Sequence, residues 1–204
     1  MAWSVALACA STGEPGQAFK PGLTFDAEKA LGLARRLYPT AKPVETGTTV
    51  LDFALWPYED ELFIGAYEQA LVVCDRRLFH VGEEARRVAD TIASVLPDAQ
   101  CGVLVLHSMV SGAWFRWYDK GHLKRDIYVT AEDGVVVDQG ERLPAEARFW
   151  KDIDAGVEDV PLPFDQEEFG LEMARSYLFG RDLADRGEDG FLPLELPLIR
   201  FRLS

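Results

Sequence analysis

Residues 101–140 constrain the fold more than any other part of the chain. Apolar and polar residues alternate there along three segments, and two glycine-containing turns join these segments. Alternation of this kind is typical of β-strands that bury one face, and short turns favour antiparallel neighbours. With a preceding strand, the region therefore predicts a meander with strands at 102–107, 113–118, 123–130 and 135–138.

Other patterns predict the rest of an α+β fold. Strands are predicted at 3–10, 44–50, 62–67 and 70–75, and three principal helices at 24–38, 82–96 and 165–180, the first with Thr24 as its N-cap. We expect a largely antiparallel or mixed sheet of about seven strands, with one side packed and part of the other presented to solvent. Pro161 and Pro163 mark a connector that precedes the last helix.

The length predicts a single domain over residues 1–204, with a main α+β body at 1–180. Residues 181–204 form a charged loop and a Leu/Pro-rich tail. Pro193 and Pro197 predict that this tail is extended at a sheet edge and is not a central strand, because proline cannot donate a hydrogen bond to a neighbouring strand.

The charge disfavours nucleic acid and anionic membranes as partners. The net charge is −13, and residues 132–204 hold eighteen acidic against eight basic side chains. Such a surface repels phosphate groups and either attracts a basic protein or only keeps the chain soluble. The apolar residues 1–10 are too few to cross a bilayer, so we expect a cytoplasmic protein.

The hairpin at 113–130 offers the best candidate surface for a partner. A three-residue turn at 119–121 would pair Phe115 with Arg125 and put Ala113, Phe115, Trp117, Leu123, Ile127 and Val129 on the core face. The opposite face mixes aromatic and charged groups, as interface hot spots do. Its predicted partner-binding residues are Trp114, Arg116, Tyr118, His122, Asp126 and Tyr128, with Lys124 beside them. Alternatively, this face lies under a helix or the tail, and Arg116 pairs with Asp126.

Arg125 falls on the apolar face in this register. A buried guanidinium requires a carboxylate or another anion, because an isolated charge in a low dielectric is very costly. The sequence favours a structural ion pair over an anion site, unless the register slips by one residue and moves Arg125 into solvent.

Catalytic groups are sparse. His107, Ser108 and Cys74 lie at predicted strand ends, so a Ser/His or Cys/His pair is conceivable, but Ser108 lacks the glycines of a nucleophile elbow. The spacing of His80, His107 and His122 matches no metal motif, and the glycine-containing loop at 11–19 matches no nucleotide motif. We expect no metal and no cofactor.

Several short sequence segments, taken together, resemble those of a known family. They are residues 62–67, 117–125, 134–143, 149–150 and 161–164. In these segments, the chain resembles a family of actinobacterial proteins of unknown function, and the resemblance covers roughly residues 1–180. The resemblance implies one conserved architecture, supplies no activity or catalytic residue, and leaves residues 181–204 poorly matched.

The function predicted from these observations is non-catalytic protein binding. We expect an immunity-like or antitoxin-like module whose acidic side covers a basic enzyme. A small hydrolase that uses His107 with Ser108 or Cys74 is the alternative, and a ligand-binding domain with a pocket beside Arg125 is a third possibility.

Overall fold

The computed structural model describes residues 3–156 and 164–204. Within these residues, one antiparallel sheet holds nine strands: β1 (Ser4–Ser11), β2 (Pro43–Val50), β3 (Glu61–Ala66), β4 (Ala70–Asp75), β5 (Gln100–His107), β6 (Gly112–Asp119), β7 (His122–Thr130), β8 (Gly134–Gly140) and β9 (Pro197–Leu203). Their spatial order is β2-β9-β3-β4-β1-β5-β6-β7-β8. The α+β class and the antiparallel sheet are confirmed, whereas the expected count of about seven strands is too low.

The described residues also form six α-helices: α1 (Pro15–Ala18), α2 (Ala27–Leu37), α3 (Leu51–Ala54), α4 (Glu83–Ala93), α5 (Ala147–Asp154) and α6 (Gln166–Met173), which continues as a π-helix (Ala174–Phe179). The three predicted helices correspond to α2, α4 and α6. The sequence missed α1 and α3 because four residues are too short to show a period, and α5 because its segment looked like part of the connector. None of these helices is long and apolar enough to cross a bilayer.

Aspartate side chains begin two of the helices. The carboxylate of Asp165 accepts a hydrogen bond from the backbone amide of Glu168 at 2.7 Å, so α6 begins where the sequence predicts. The N-cap of α2 is Asp26, which accepts from the amide of Lys29 at 3.0 Å, and the prediction of Thr24 is wrong by two residues. The predicted connector at 161–163 lies outside the described residues.

Helices cover the central strands on both faces of the sheet, and exposed residues remain on the outermost strands β2 and β8. The two helices α2 and α4 pack on one face, and α3, α5 and α6 pack on the other. The interior strands β3 and β4 are buried along their whole length. Apolar residues on both faces of a strand need cover on both sides, so the sheet lies between two helical layers.

The hairpin between β6 and β7 keeps the predicted core face but shifts the register. Phe115 pairs with Ile127, because the turn has two residues and a β-bulge follows Trp117. Lys120 and Gly121 form that turn with positive φ angles of 49° and 74°, as tight hairpin turns require. The bulge restores the alternation beyond it, so the other predicted core residues of the hairpin are buried, while Leu123 before the bulge is 40% exposed.

The C-terminal tail contains an interior strand, which corrects the prediction of an extended edge segment. In β9, Arg202 pairs with Glu61 of β3 and Thr49 of β2 pairs with Leu198. The prolines do not prevent this, because Pro197 stands at the first position of the strand and Pro193 precedes it. The edge on this side of the sheet is β2.

Candidate functional site

The structure buries most of the predicted partner-binding face beneath α4. Trp114, Arg116, Tyr118 and Asp126 are at most 4% exposed, whereas His122 is exposed and Tyr128 is half-buried. The alternative in which this face lies under a helix is therefore the one observed. Four of the six predicted residues have no surface to offer a partner.

Hydrogen bonds explain why polar groups are tolerated there. Asp126 accepts from the indole Nε1 of Trp114 at 2.8 Å and lies 3.2 Å from Nε of Arg116, which is the cross-strand pair that the alternative predicted. The hydroxyl of Tyr118 donates to Asp90 of α4 at 2.7 Å. Burial and this bond raise the pKa of Tyr118 far above its usual range. The face is a structural network that joins helix and sheet.

Arg125 is fully buried and paired. Its Nε and Nη2 atoms donate to the two carboxylate oxygens of Glu146 at 2.8 Å each, and Nη1 donates to Asp138. Burial alone lowers the pKa of Arg125, but the bonds to Glu146 and Asp138 outweigh that effect and raise it. The hydrogen-bonding groups of the guanidinium all have partners within the fold. Arg125 and Glu146 therefore form a structural ion pair.

The sheet separates His107 from Cys74. Cys74 packs with Leu7 on the face that α6 covers, while the ring of His107 lies against Phe79 on the opposite face, at 6.1 Å between ring centroids. Burial raises the pKa of Cys74 well above that of a free thiol. The structure does not bring these two residues together as a nucleophile and base.

Ser108 is exposed beside a cavity of about 160 Å³ that His107 also lines. The hydroxyl of Ser108 lies 3.0 Å from that of Ser4, and no described residue forms a hydrogen bond with the buried Nδ1 of His107. A general base needs both a nearby nucleophile and a group that orients it. Across residues 3–156 and 164–204, no cluster of three potential ligands could hold a metal ion.

The thiols provide a direct check on this interpretation. We expect a thiol-specific reagent at about pH 8 to leave all three cysteines of the native protein unmodified and to modify all three in denaturant. Burial keeps each thiol neutral, and it raises the pKa of Cys101 to about 12. Mass spectrometry of the treated protein measures the outcome, and rapid native modification of Cys74 would contradict it.

The most exposed aromatic side chains of the described residues lie on one short segment. Phe53 is 76% exposed, Tyr58 70% and Trp56 38%. We call Phe53, Trp56 and Tyr58 the aromatic segment. The neighbouring residues Leu51, Ala54 and Leu55 are buried in the core, so α3 directs Phe53 away from it.

A backbone hydrogen bond beside the β1–β4 pairing holds the aromatic segment. β1 pairs with β4 from Leu7, opposite Cys74, to Ser11, and the amide of Ala6 donates to the carbonyl of Leu55 at 3.1 Å. α3 ends at Ala54, and Pro57 disfavours a helical conformation for Trp56. The backbone of the segment is therefore held against the end of the sheet, and its outer side chains face solvent.

Trp56 is anchored more firmly than its neighbours. Its ring centroid lies 4.1 Å from that of Phe79, and the guanidinium carbon of Arg76 lies 4.7 Å above its ring. The ring of His107 is 6.1 Å away, and the turn after His107 exposes Met109. A rigid aromatic side chain that is still partly exposed loses little entropy when a partner covers it.

Phe53 and Tyr58 line an open groove of about 310 Å³ beside β2. Residues 46–49 of β2, Phe63 of β3 and Arg200 of β9 also line the groove. Arg200 is paired with Glu61, so its positive charge is compensated. The groove therefore offers apolar rings and threonine hydroxyl groups.

Unpaired carboxylates are the chain neighbours of the two groove aromatics. Asp52 precedes Phe53 and Glu59 follows Tyr58, both carboxylates are exposed, and neither forms an ion pair with the residues that the structure describes. By contrast, Asp60 is paired with Arg202 at 3.3 Å. The surface around the aromatic segment is thus both apolar and negatively charged.

Comparison with known proteins places the chain in a family. A family of unknown function (DUF6928) matches residues 4–201. The chain belongs to DUF6928. This confirms the resemblance to a family of unknown function and corrects its extent, because the DUF6928 match includes most of β9 and does not stop near residue 180. No curated protein and no solved structure shows a significant match to this member of DUF6928.

The sequence held a signal for the aromatic segment that periodicity does not detect. Residues 52–61 place three aromatic residues and Pro57 among four acidic residues. Aromatic side chains beside carboxylates and a proline do not fit a buried strand, because the carboxylates would need partners in the core. The segment looked ambiguous because it alternates at neither the strand nor the helix period.

Proposed function

We propose that the chain is a non-catalytic protein-binding module whose contact surface is the aromatic segment and the carboxylates around it. The exposure of Phe53 and Tyr58 carries the proposal, because monomeric domains rarely leave several large aromatic rings uncovered at one place. Tyrosine and tryptophan are also the residues that most often dominate binding energy at interfaces.

The charge of the surface indicates the chemistry of the partner. Two exposed carboxylates without ion pairs, Asp52 and Glu59, and a net charge of −13 favour a partner with a basic surface that also carries apolar groups. A basic enzyme that is covered by an immunity or antitoxin protein has this character. We do not propose the hydrolase, since no described residue forms the hydrogen bond that would orient His107 as a general base.

The proposal predicts which substitutions abolish binding. The double variant Phe53→Ala/Tyr58→Ala is expected to lose capture of a basic protein from host lysate, since truncating a hot-spot ring costs about 2 kcal/mol or more, roughly 30-fold in Kd. Quantitative mass spectrometry of the captured proteins measures the effect. Capture by the wild-type chain is expected to weaken between about 0.1 M and 0.5 M salt, because exposed charges are then screened.

A matched control comes from the opposite edge of the sheet. Val135 and Val136 of β8 are exposed apolar residues far along the strand order from β2. The variant Val135→Ala/Val136→Ala is expected to capture the same protein as the wild-type chain. Equal capture by both double variants, or no protein captured at all, would count against the proposed function.

A further inference from the structure

The outer edge of β2 is open. β2 is the first strand of the sheet, and no strand of the described part of the chain pairs with its outer side. Five of its eight residues, 44–48, are exposed. An edge strand of this kind presents unpaired amide and carbonyl groups that can pair with another chain.

A β-bulge limits how much of this edge can accept a strand. The bulge lies between Glu45 and Gly47, and regular pairing with β9 runs from Gly47 to Val50. Four residues of a strand extend about 13 Å. This regular stretch is also the part of β2 that walls the groove containing Phe53 and Tyr58.

The edge and the groove together define a binding mode. A peptide paired with β2 would have its backbone on the edge and alternate side chains directed toward the two faces of the sheet. The side chains on the groove face would reach the rings of Phe53 and Tyr58. The exposed carboxylates of Asp52 and Glu59, next to Phe53 and Tyr58 in the chain, favour lysine or arginine in such a peptide.

We propose that the partner docks as an extended strand on the free edge of β2, through a segment that combines apolar side chains with Lys or Arg. This inference rests on the proposed function and specifies how the partner binds. The open edge supplies affinity through backbone hydrogen bonds, and the aromatic groove with its carboxylates supplies specificity. The docked segment lies beyond β2 as a tenth strand of the sheet.

The test uses peptides of about 12 residues from a randomised displayed library. The library is first depleted on the Phe53→Ala/Tyr58→Ala variant and then selected on the wild-type chain. We expect the selected peptides to be enriched in Lys and Arg together with apolar residues. Each is then resynthesised in two forms, one N-methylated at the odd positions of its extended segment and the other at the even positions.

In an added strand, only alternate residues direct their amides toward the host. One methylated form is therefore expected to bind at least about tenfold more weakly than the parent peptide, and the other within about threefold. Amide hydrogen exchange is expected to slow in β2 when the parent peptide binds. Because the modification is in the peptide, loss of binding cannot reflect unfolding of the protein.

The outcomes separate the two proposals. Peptides that need Phe53 and Tyr58 but tolerate both methylation patterns equally would overturn strand addition and leave the proposed function standing. Loss of binding in both forms, without slower exchange in β2, would also overturn strand addition. If depletion on the Phe53→Ala/Tyr58→Ala variant leaves no peptide to select, both the contact surface and the strand addition fail.

Discussion

Replacing Arg125 with methionine is expected to lower the free energy of unfolding by about 3–5 kcal/mol. Glu146 is completely buried and would lose both hydrogen bonds that the guanidinium donates to it at 2.8 Å. Donation from Nε1 of Trp150 at 2.9 Å and from the amide of Leu143 at 3.0 Å remains, but neither group carries a compensating charge. Urea unfolding followed by circular dichroism measures the loss.

Two controls isolate the buried ion pair. Arg148→Met removes a guanidinium that is 53% exposed and paired with Glu168 and Glu172. Since Glu172 keeps its ion pair with Arg175, a change of about 0–1 kcal/mol is expected. The double variant Arg125→Met/Glu146→Gln should lose less stability than the two single losses together, because neither charge is then left alone. Additive losses, or an Arg125→Met effect no larger than that of Arg148→Met, would show that the pair contributes little.

The sequence predicted that Arg125 is paired but could not name its partner. Alternation placed the residue on the core face, and the cost of an isolated buried charge then required a carboxylate. Glu146 begins a region where periodicity is lost, and its approach to β7 depends on where α5 packs. Local patterns report which face of a strand is buried, whereas the partner across a core depends on the whole fold.

Local patterns also could not show that the predicted partner-binding face of the hairpin is mostly buried. The pattern correctly separated the face of Phe115 and Ile127 from that of Trp114 and Asp126. It could not decide whether the second face meets α4 or solvent, because both environments accept aromatic and charged side chains when hydrogen bonds are available. The register was wrong for a local reason, since a β-bulge adds a residue without changing the alternation on either side of it.

The candidate site was the part least accessible to sequence reasoning. Strand and helix periods identify residues that face a core, so they say little about a segment whose backbone bridges the end of a sheet. Phe53 and Tyr58 are conspicuous only once their exposure is known. Exposed aromatic residues outside the periodic elements are therefore the better guide to a binding surface in a fold with both sheet faces covered.

The second large loss of stability is expected from a substitution in β9. Phe201→Ala should lower the free energy of unfolding by about 3–5 kcal/mol, because the ring is completely buried and its loss leaves a cavity between β9 and the layer formed by α2 and α4. Guanidinium chloride unfolding measures the change. Its size tests the interior position of β9, since the tail would tolerate the substitution if it were the extended edge segment that the prolines suggest.

The neighbouring residue provides the matched control. Arg202 is on the same strand, 60% exposed, and paired with the 54% exposed Asp60. Arg202→Ala should therefore change stability by less than about 1 kcal/mol. A large difference between the two variants requires that successive residues of β9 face opposite environments, as in a strand that packs one face against the core. Similar small losses would mean that the tail contributes little to the core, and the free edge of the sheet would then be β3 instead of β2.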